Sequence, residues 1–138
     1  MAEPPPIRDR ALADGYGRAV LTVVRGDDGI GLEESLRLQA RLRQRLGDAF
    51  DLEALLLAPA ITAAELAHLA GGDPFRGSGT HAGALALTLV ADCLAVALAK
   101  GHVDEHEAAI LIEFARALGL GDDELRRQAP ALRPWLTP

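Results

Sequence analysis

The chain has 138 residues, a hydrophobic fraction of 49% and a formal net charge of −6, a balance that suits one domain with one sizeable core. Its acidity argues against nucleic acid as the main partner, because phosphate binding needs a basic surface. Aromatics are 4% and there is one cysteine, Cys93, so the core must be built from Leu, Ala, Val and Ile, no internal disulfide can form, and a reducing, cytoplasmic setting is expected.

The segment Met1–Pro6 is rich in proline and has no apolar core of the kind a signal peptide needs. Residues 1–7 read as a flexible arm and residues 8–138 as a single domain. The periodicity then predicts about seven helices and no strand. The first covers about Arg8 to Arg25, with Leu12, Tyr16, Ala19, Val20 and Val23 on one face and Arg10, Asp14, Arg18 and Arg25 opposite. The second covers about Leu32 to Leu46. Leu32, Leu36, Leu38, Leu42 and Leu46 form a broad apolar arc that also contains Gln39 and Arg43, and Gly47 ends it.

Two short helices follow, about Asp51 to Leu57 and Ala63 to Ala70, the latter opened by the capping box Thr62/Glu65. After a glycine-rich loop, Thr80 to Lys100 is the most apolar helix. Its length approaches that of a membrane span, but Thr88 and Asp92 within it and amphipathic neighbours around it favour a central core helix. Asp104 with Glu107 is a second capping box, for a helix that ends at Leu118–Gly119. Asp122 is expected to cap a last short helix, and the proline-rich end is expected to be irregular, with Trp135 and Leu136 docked on the domain.

A weak internal repeat runs through this pattern. Residues 19–31 read AVLTVVRGDDGIG and residues 94–104 read LAVALAKGHVD. Each is an apolar helix ending in a basic residue and Gly, followed by Ile or Val. Glu34 lies four residues after Ile30, Glu107 lies four after Val103, and both following helices end in Leu-Gly. The repeat predicts two antiparallel helix pairs packed on one another.

The stretch AKGHVDEHEAAILIEFARALGLGDDEL, residues 99–125, together with DDGIGLEE, residues 27–34, resembles the TerB-like family of helical domains. That family is named for bacterial tellurite-resistance proteins and also includes the N-terminal domain of a membrane-anchored DnaJ-type co-chaperone. The resemblance implies a bundle of about seven helices with a duplicated core. It implies a cytoplasmic bacterial protein of a stress, metal or phage response that acts by binding protein partners, in some cases beside a membrane, and that holds a divalent metal on acidic loop residues. No catalysis is implied. The chain departs from the pattern at Ala99-Lys100-Gly101, where such domains carry Ala-Asp-Gly, whereas the first loop keeps Asp28-Gly29.

Three polar groups stand out. Asp27, Asp28, Glu33 and Glu34 crowd one loop and helix start. Oxygen ligands of this kind suit Ca²⁺ or Mg²⁺, with Asp27, Asp28 and Glu34 as the ligand set, although their order does not match an EF-hand. The competing reading is a helix N-terminus favoured by the macrodipole. His102, Asp104 and His106 surround the second loop, but the helix cap between the histidines keeps them from forming a ligand pair. On the apolar helix, His81, Thr88 and Asp92 line up as a narrow polar stripe. A buried Asp92 must be paired, hydrated or protonated; one reading is a ligand or metal contact, and the favoured one is a structural hydrogen bond or ion pair, with Arg43 on the second helix as the expected partner in a register-fixing network.

Gly77-Ser78-Gly79-Thr80 lacks the lysine and the spacing of a P-loop, and no nucleophile with a base and an orienting group is legible. The expected function is therefore a non-catalytic TerB-like module working through protein interaction and weak divalent-metal binding. A regulatory adaptor that binds only a protein is the alternative, and a small hydrolase-type enzyme is the third reading.

Overall fold

The computed structural model describes residues 10–25, 31–47, 50–69 and 82–136. Among them are seven α-helices: α1 Arg10–Arg25, α2 Leu32–Leu46, α3 Leu52–Leu57, α4 Ala63–Leu69, α5 Ala82–Ala97, α6 Glu105–Ala117 and α7 Asp122–Gln128. Two 3-10 segments, Leu98–Lys100 and Pro130–Trp135, follow α5 and α7, and no strand occurs among the described residues. The fold is an all-α bundle. The arm expected over residues 1–7, the loop from Gly77 to Thr80 and His81 lie outside the described residues.

α1 is the hub. It packs against α2, α3, α4, α5 and α6, and residues on most of its circumference are buried, from Leu12 through Tyr16 and Val20 to Val24. Gly15 permits the approach of α4: a Cβ there would fall 2.5 Å from Cδ1 of Leu69. Polar side chains of α1 hold the segment between α3 and α4 without burying a charge. Arg18 donates to the carbonyl of Pro59, Arg25 donates to that of Leu56, and Thr22 accepts from the amide of Ile61, so backbone groups left over at the end of α3 find partners.

α5 is central, as its composition predicts. Leu85, Ala86, Leu89, Val90, Cys93, Val96 and Ala97 are buried, and the helix packs on α1, α2 and α6. No helix among the described residues is long and apolar enough to cross a membrane. Gly101, at φ 108°, ends the 3-10 segment after α5, and Gly119, at φ 95°, ends α6. Glycine adopts such angles without the Cβ clash that penalises other residues.

Both expected capping boxes form. Thr62 Oγ1 accepts from the amide of Glu65, whose Oε1 accepts from the amide of Thr62. Asp104 Oδ1 accepts from the amide of Glu107 at 2.8 Å, and Glu107 Oε1 accepts from that of Asp104 at 3.1 Å. Asp122 is not the cap of α7. Gly121 occupies that position, and the Asp122 carboxylate accepts two hydrogen bonds from Arg116 at 2.8 and 2.7 Å. A charged partner six residues upstream outcompetes the local backbone donors for this carboxylate. The chain end winds into a 3-10 segment rather than running irregularly, and Leu132 and Leu136 are buried by it.

Candidate functional site

The apolar helix carries a buried carboxylate, as its polar stripe predicts. Asp92 on α5 is 1% exposed. Its Oδ2 accepts from the Tyr16 hydroxyl on α1 at 2.5 Å and from Nε of Arg45 on α2 at 2.9 Å. Its Oδ1 accepts from Nη2 of Arg45 at 3.0 Å and, at 3.4 Å, from Arg41, which sits at the rim of the cluster. One carboxylate thus joins α1, α2 and α5. The bidentate Arg45 fork matches carboxylate geometry and, with the phenol, offsets the desolvation that would otherwise expel the charge.

The guanidinium on Asp92 is therefore that of Arg45, not that of Arg43, which lies exposed. The two residues are about half a turn apart on a 3.6-residue helix. The buried face of α2 is set by Glu34, Leu38, Leu42 and Arg45, a stripe that places Arg43 opposite. Leu32 and Leu36, assigned by sequence to the apolar arc, are 78% and 59% exposed for the same reason. The signal was present in the spacing: reading the helix from Glu34 rather than from Leu32 brings Arg41 and Arg45 inward and turns the two leucines out. Tyr16 gave no sign of its role, since a tyrosine on an apolar face is ordinary core. Thr88, one turn before Asp92, is buried, and His81 lies outside the described residues.

Electrostatically this cluster is closed. Burial, then the Asp92 charge and hydrogen bond, raises the Tyr16 phenol well above its ordinary value. Burial alone would lower Arg45, but the hydrogen bonds and charge of Asp92 outweigh it and raise it. Burial, helped by the nearby Asp92 charge, raises the Cys93 thiol. Tyr16 is then a fixed donor at neutral pH, Cys93 a neutral thiol, and both Asp92 oxygens are occupied by donors. Such an arrangement holds α1, α2 and α5 together.

The acidic loop is described only at its end. Asp27 and Asp28 lie outside the described residues. Glu34 is 7% exposed, and its Oε1 accepts from the amide of Gly31 at 3.2 Å, the return half of a capping box. Its Oε2 is buried and has no hydrogen-bond donor among the described residues. Glu33 beside it is exposed. At the second loop, His102 and His106 are both exposed, and Asp104 serves as the cap of α6. Among the described residues no group of three or more His, Cys, Asp or Glu side chains is arranged to hold a metal.

Glu34 and Glu107 occupy the same place in their helices. Each is the third residue, each returns a carboxylate oxygen to the amide of the cap residue, and each is buried. Where α6 has Asp104 as its cap, α2 has Gly31, so the reciprocal side-chain half of the box exists only in α6.

The described residues line concavities at the surface, two of them beside α2. One of about 420 Å³ is lined by Glu33, Leu36, Arg37 and Ala40 of α2 with Ala99 of the 3-10 segment after α5. The other, about 300 Å³, lies between Arg25, Ser35, Leu38, Leu52 and Leu56. Exposed leucines line both, Leu36 the first and Leu56 the second, and Leu32, Leu57 and Leu98 are exposed elsewhere on α2, on α3 and after α5.

Together these features define the chain as an all-α bundle whose three central helices are clasped by a buried ion pair and whose second helix turns leucines to solvent. No family model matches the sequence, and no curated protein or solved structure is significantly similar to it.

Proposed function

We propose that this chain is a non-catalytic, TerB-like interaction module of a bacterial stress response, working in the cytoplasm by binding a protein partner through the outer face of α2. The observation that carries the reading is the pair of exposed leucines, Leu32 and Leu36, one turn apart on α2 beside a concave wall formed with Ala99. Apolar side chains in this arrangement cost little while alone and gain most when a partner covers them. The inward arginines of the same helix, Arg41 and Arg45, are engaged with Asp92, whereas the leucines of the outward face are open to a partner.

The TerB-like part of the proposal is supported by the order of the helices and by the matching positions of Glu34 and Glu107. Both acids follow a glycine-containing stretch of sequence and cap the helix after it, as an internal duplication would place them. The enzyme reading lacks such support, because Asp92 and Tyr16 are engaged with each other and with Arg45.

The test is site-specific photo-cross-linking in living cells, with the photoreactive residue at Ala40, on the wall of the concavity, and a control at Arg127 on α7. A partner captured from Ala40, absent from the Arg127 control and lost in Leu36→Ser, is the expected result. Equal capture from both positions, or none from Ala40, refutes the interaction reading.

The second reading, weak divalent-metal binding by Asp27, Asp28 and Glu34, is favoured by Oε2 of Glu34, a buried oxygen with no donor among the described residues. Ca²⁺ or Mg²⁺ would satisfy it with oxygen ligands alone. Millimolar Ca²⁺ or Mg²⁺ should then raise the melting temperature, and Asp28→Asn should reduce the shift. If neither protein responds, or both respond equally, the chain is the metal-free adaptor, binding a protein only.

A further inference from the structure

The charge of the chain is unevenly placed. The whole carries −6, yet α2 holds four arginines against two glutamates. Of the four, Arg45 is buried on Asp92 and Arg41 reaches the same carboxylate from the rim with its side chain 32% exposed. Arg37 and Arg43 are exposed, and Arg37 has no ion-pair partner among the described residues. The concavity on this helix has Leu36, Ala40 and Ala99 as its apolar wall and Arg37 and Glu33 at its edge. Its small residues, Ala40 and Ala99, leave the space that a branched or unbranched aliphatic side chain fills.

From this juxtaposition of Leu36, Ala40, Ala99 and Arg37 we infer that the occupant is an acidic amphipathic helix of another protein, its aliphatic side chains seated against α2 and its carboxylates paired with Arg37 and the exposed part of Arg41. The inference rests on the interaction role proposed above and adds the chemistry of the partner. α2 is about 22 Å long, enough to align a partner helix of three to four turns, and apolar anchors with a complementary charged rim are how grooves read amphipathic helices. Glu33, at the N-terminal end of α2, repels a carboxylate there and so sets the direction in which the acidic partner lies.

Two other occupants fit less well. An anionic membrane is a flat surface and presents no side chain that would seat in the concavity beside Ala40 and Ala99. A second copy of this chain could offer the acidic start of α7, but Asp122, Asp123 and Glu124 are already paired with Arg116, Arg126 and Arg127.

The experiment uses the full chain and two fluorescently labelled synthetic peptides of about 18 residues, long enough to be helical. They share leucines at helical spacing and carry either glutamates or lysines on the flanking positions. By fluorescence anisotropy the glutamate peptide should bind at least tenfold more tightly than the lysine peptide. The preference should shrink with added salt and reverse in Arg37→Glu, while Leu36→Ser should weaken both. Melting temperatures of the variants are measured alongside, since both positions are exposed and folding should be retained. Failure of the glutamate peptide to bind, indifference to peptide charge, or an unchanged preference in Arg37→Glu overturns the inference. So does binding to phosphatidylserine vesicles in place of the peptide, or Leu36-dependent self-association in sedimentation. A partner cross-linked at Ala40 alongside a failed peptide preference removes this inference alone; absence of a cross-link removes the interaction reading beneath it.

Discussion

The hydroxyl of Tyr16 donates to the carboxylate of Asp92 at 2.5 Å across a sequence separation of 76 residues, and the same carboxylate is gripped by both forward-facing nitrogens of Arg45. Removing one partner of a buried pair leaves the other charge uncompensated, which usually costs roughly 3–5 kcal/mol, whereas replacing both with apolar residues is often near neutral. Asp92→Ala and Arg45→Ala should each destabilise on that scale, and Asp92→Leu combined with Arg45→Met should recover most of the loss. Arg43→Ala, at an exposed position, should cost about 1 kcal/mol or less. Urea denaturation of the four variants checks the set. A larger loss from Arg43→Ala than from Arg45→Ala would contradict the placement of the two arginines.

The phenol and the thiol predict an alkaline limit to stability. Burial and the Asp92 charge raise both Tyr16 and Cys93 in the folded chain, so the unfolded chain loses these protons first. Stability is full below the unfolded values and falls as pH rises past them, from about pH 8.5 for the thiol and about pH 10 for the phenol. The chain contains one tyrosine and one cysteine, so phenolate absorbance should appear together with unfolding and not before it. Tyr16→Phe should remove the steeper loss above pH 10, at a cost of about 1.5–3 kcal/mol near neutrality from the missing bond to a charged group. Phenolate forming in the intact fold near pH 10 would show that the hydroxyl is not held as described.

The two capping boxes should differ in strength. Glu65 is exposed and Glu107 is fully buried, so water can replace the first carboxylate but not the second. Glu65→Ala should cost about 1 kcal/mol or less, the usual loss for a cap. Glu107→Ala should cost more, because a cavity is added to the lost bond. Equal denaturation midpoints for the two variants would mean that burial adds nothing at this position.

On the outer face of α2, Leu36→Ser and Leu32→Ser should leave the melting temperature nearly unchanged, within about 0.5 kcal/mol of the parent. Their solubility should rise, because exposed apolar area is removed. A stability loss of core size would show that the face is covered within the chain.

Local spacing and cap residues were enough to place the helices and most of their ends. Apolar spacing located the α-helices found among the described residues, and Thr62/Glu65 and Asp104/Glu107 marked two helix starts, because the donors they satisfy lie within a turn of the cap. It also showed that Asp92 must have a partner, since a carboxylate on so apolar a helix cannot stand alone. Which arginine answers it was decided by tertiary structure. α2 carries apolar residues around much of its circumference, so its periodicity allows more than one face to turn inward, and the choice is made by what α1 and α5 present. Tyr16 and Asp92 together select the face that carries Arg45. That selection sends Arg43 outward and leaves Leu32 and Leu36 in solvent, because they lie half a turn from Arg45 on a face that no other described helix covers.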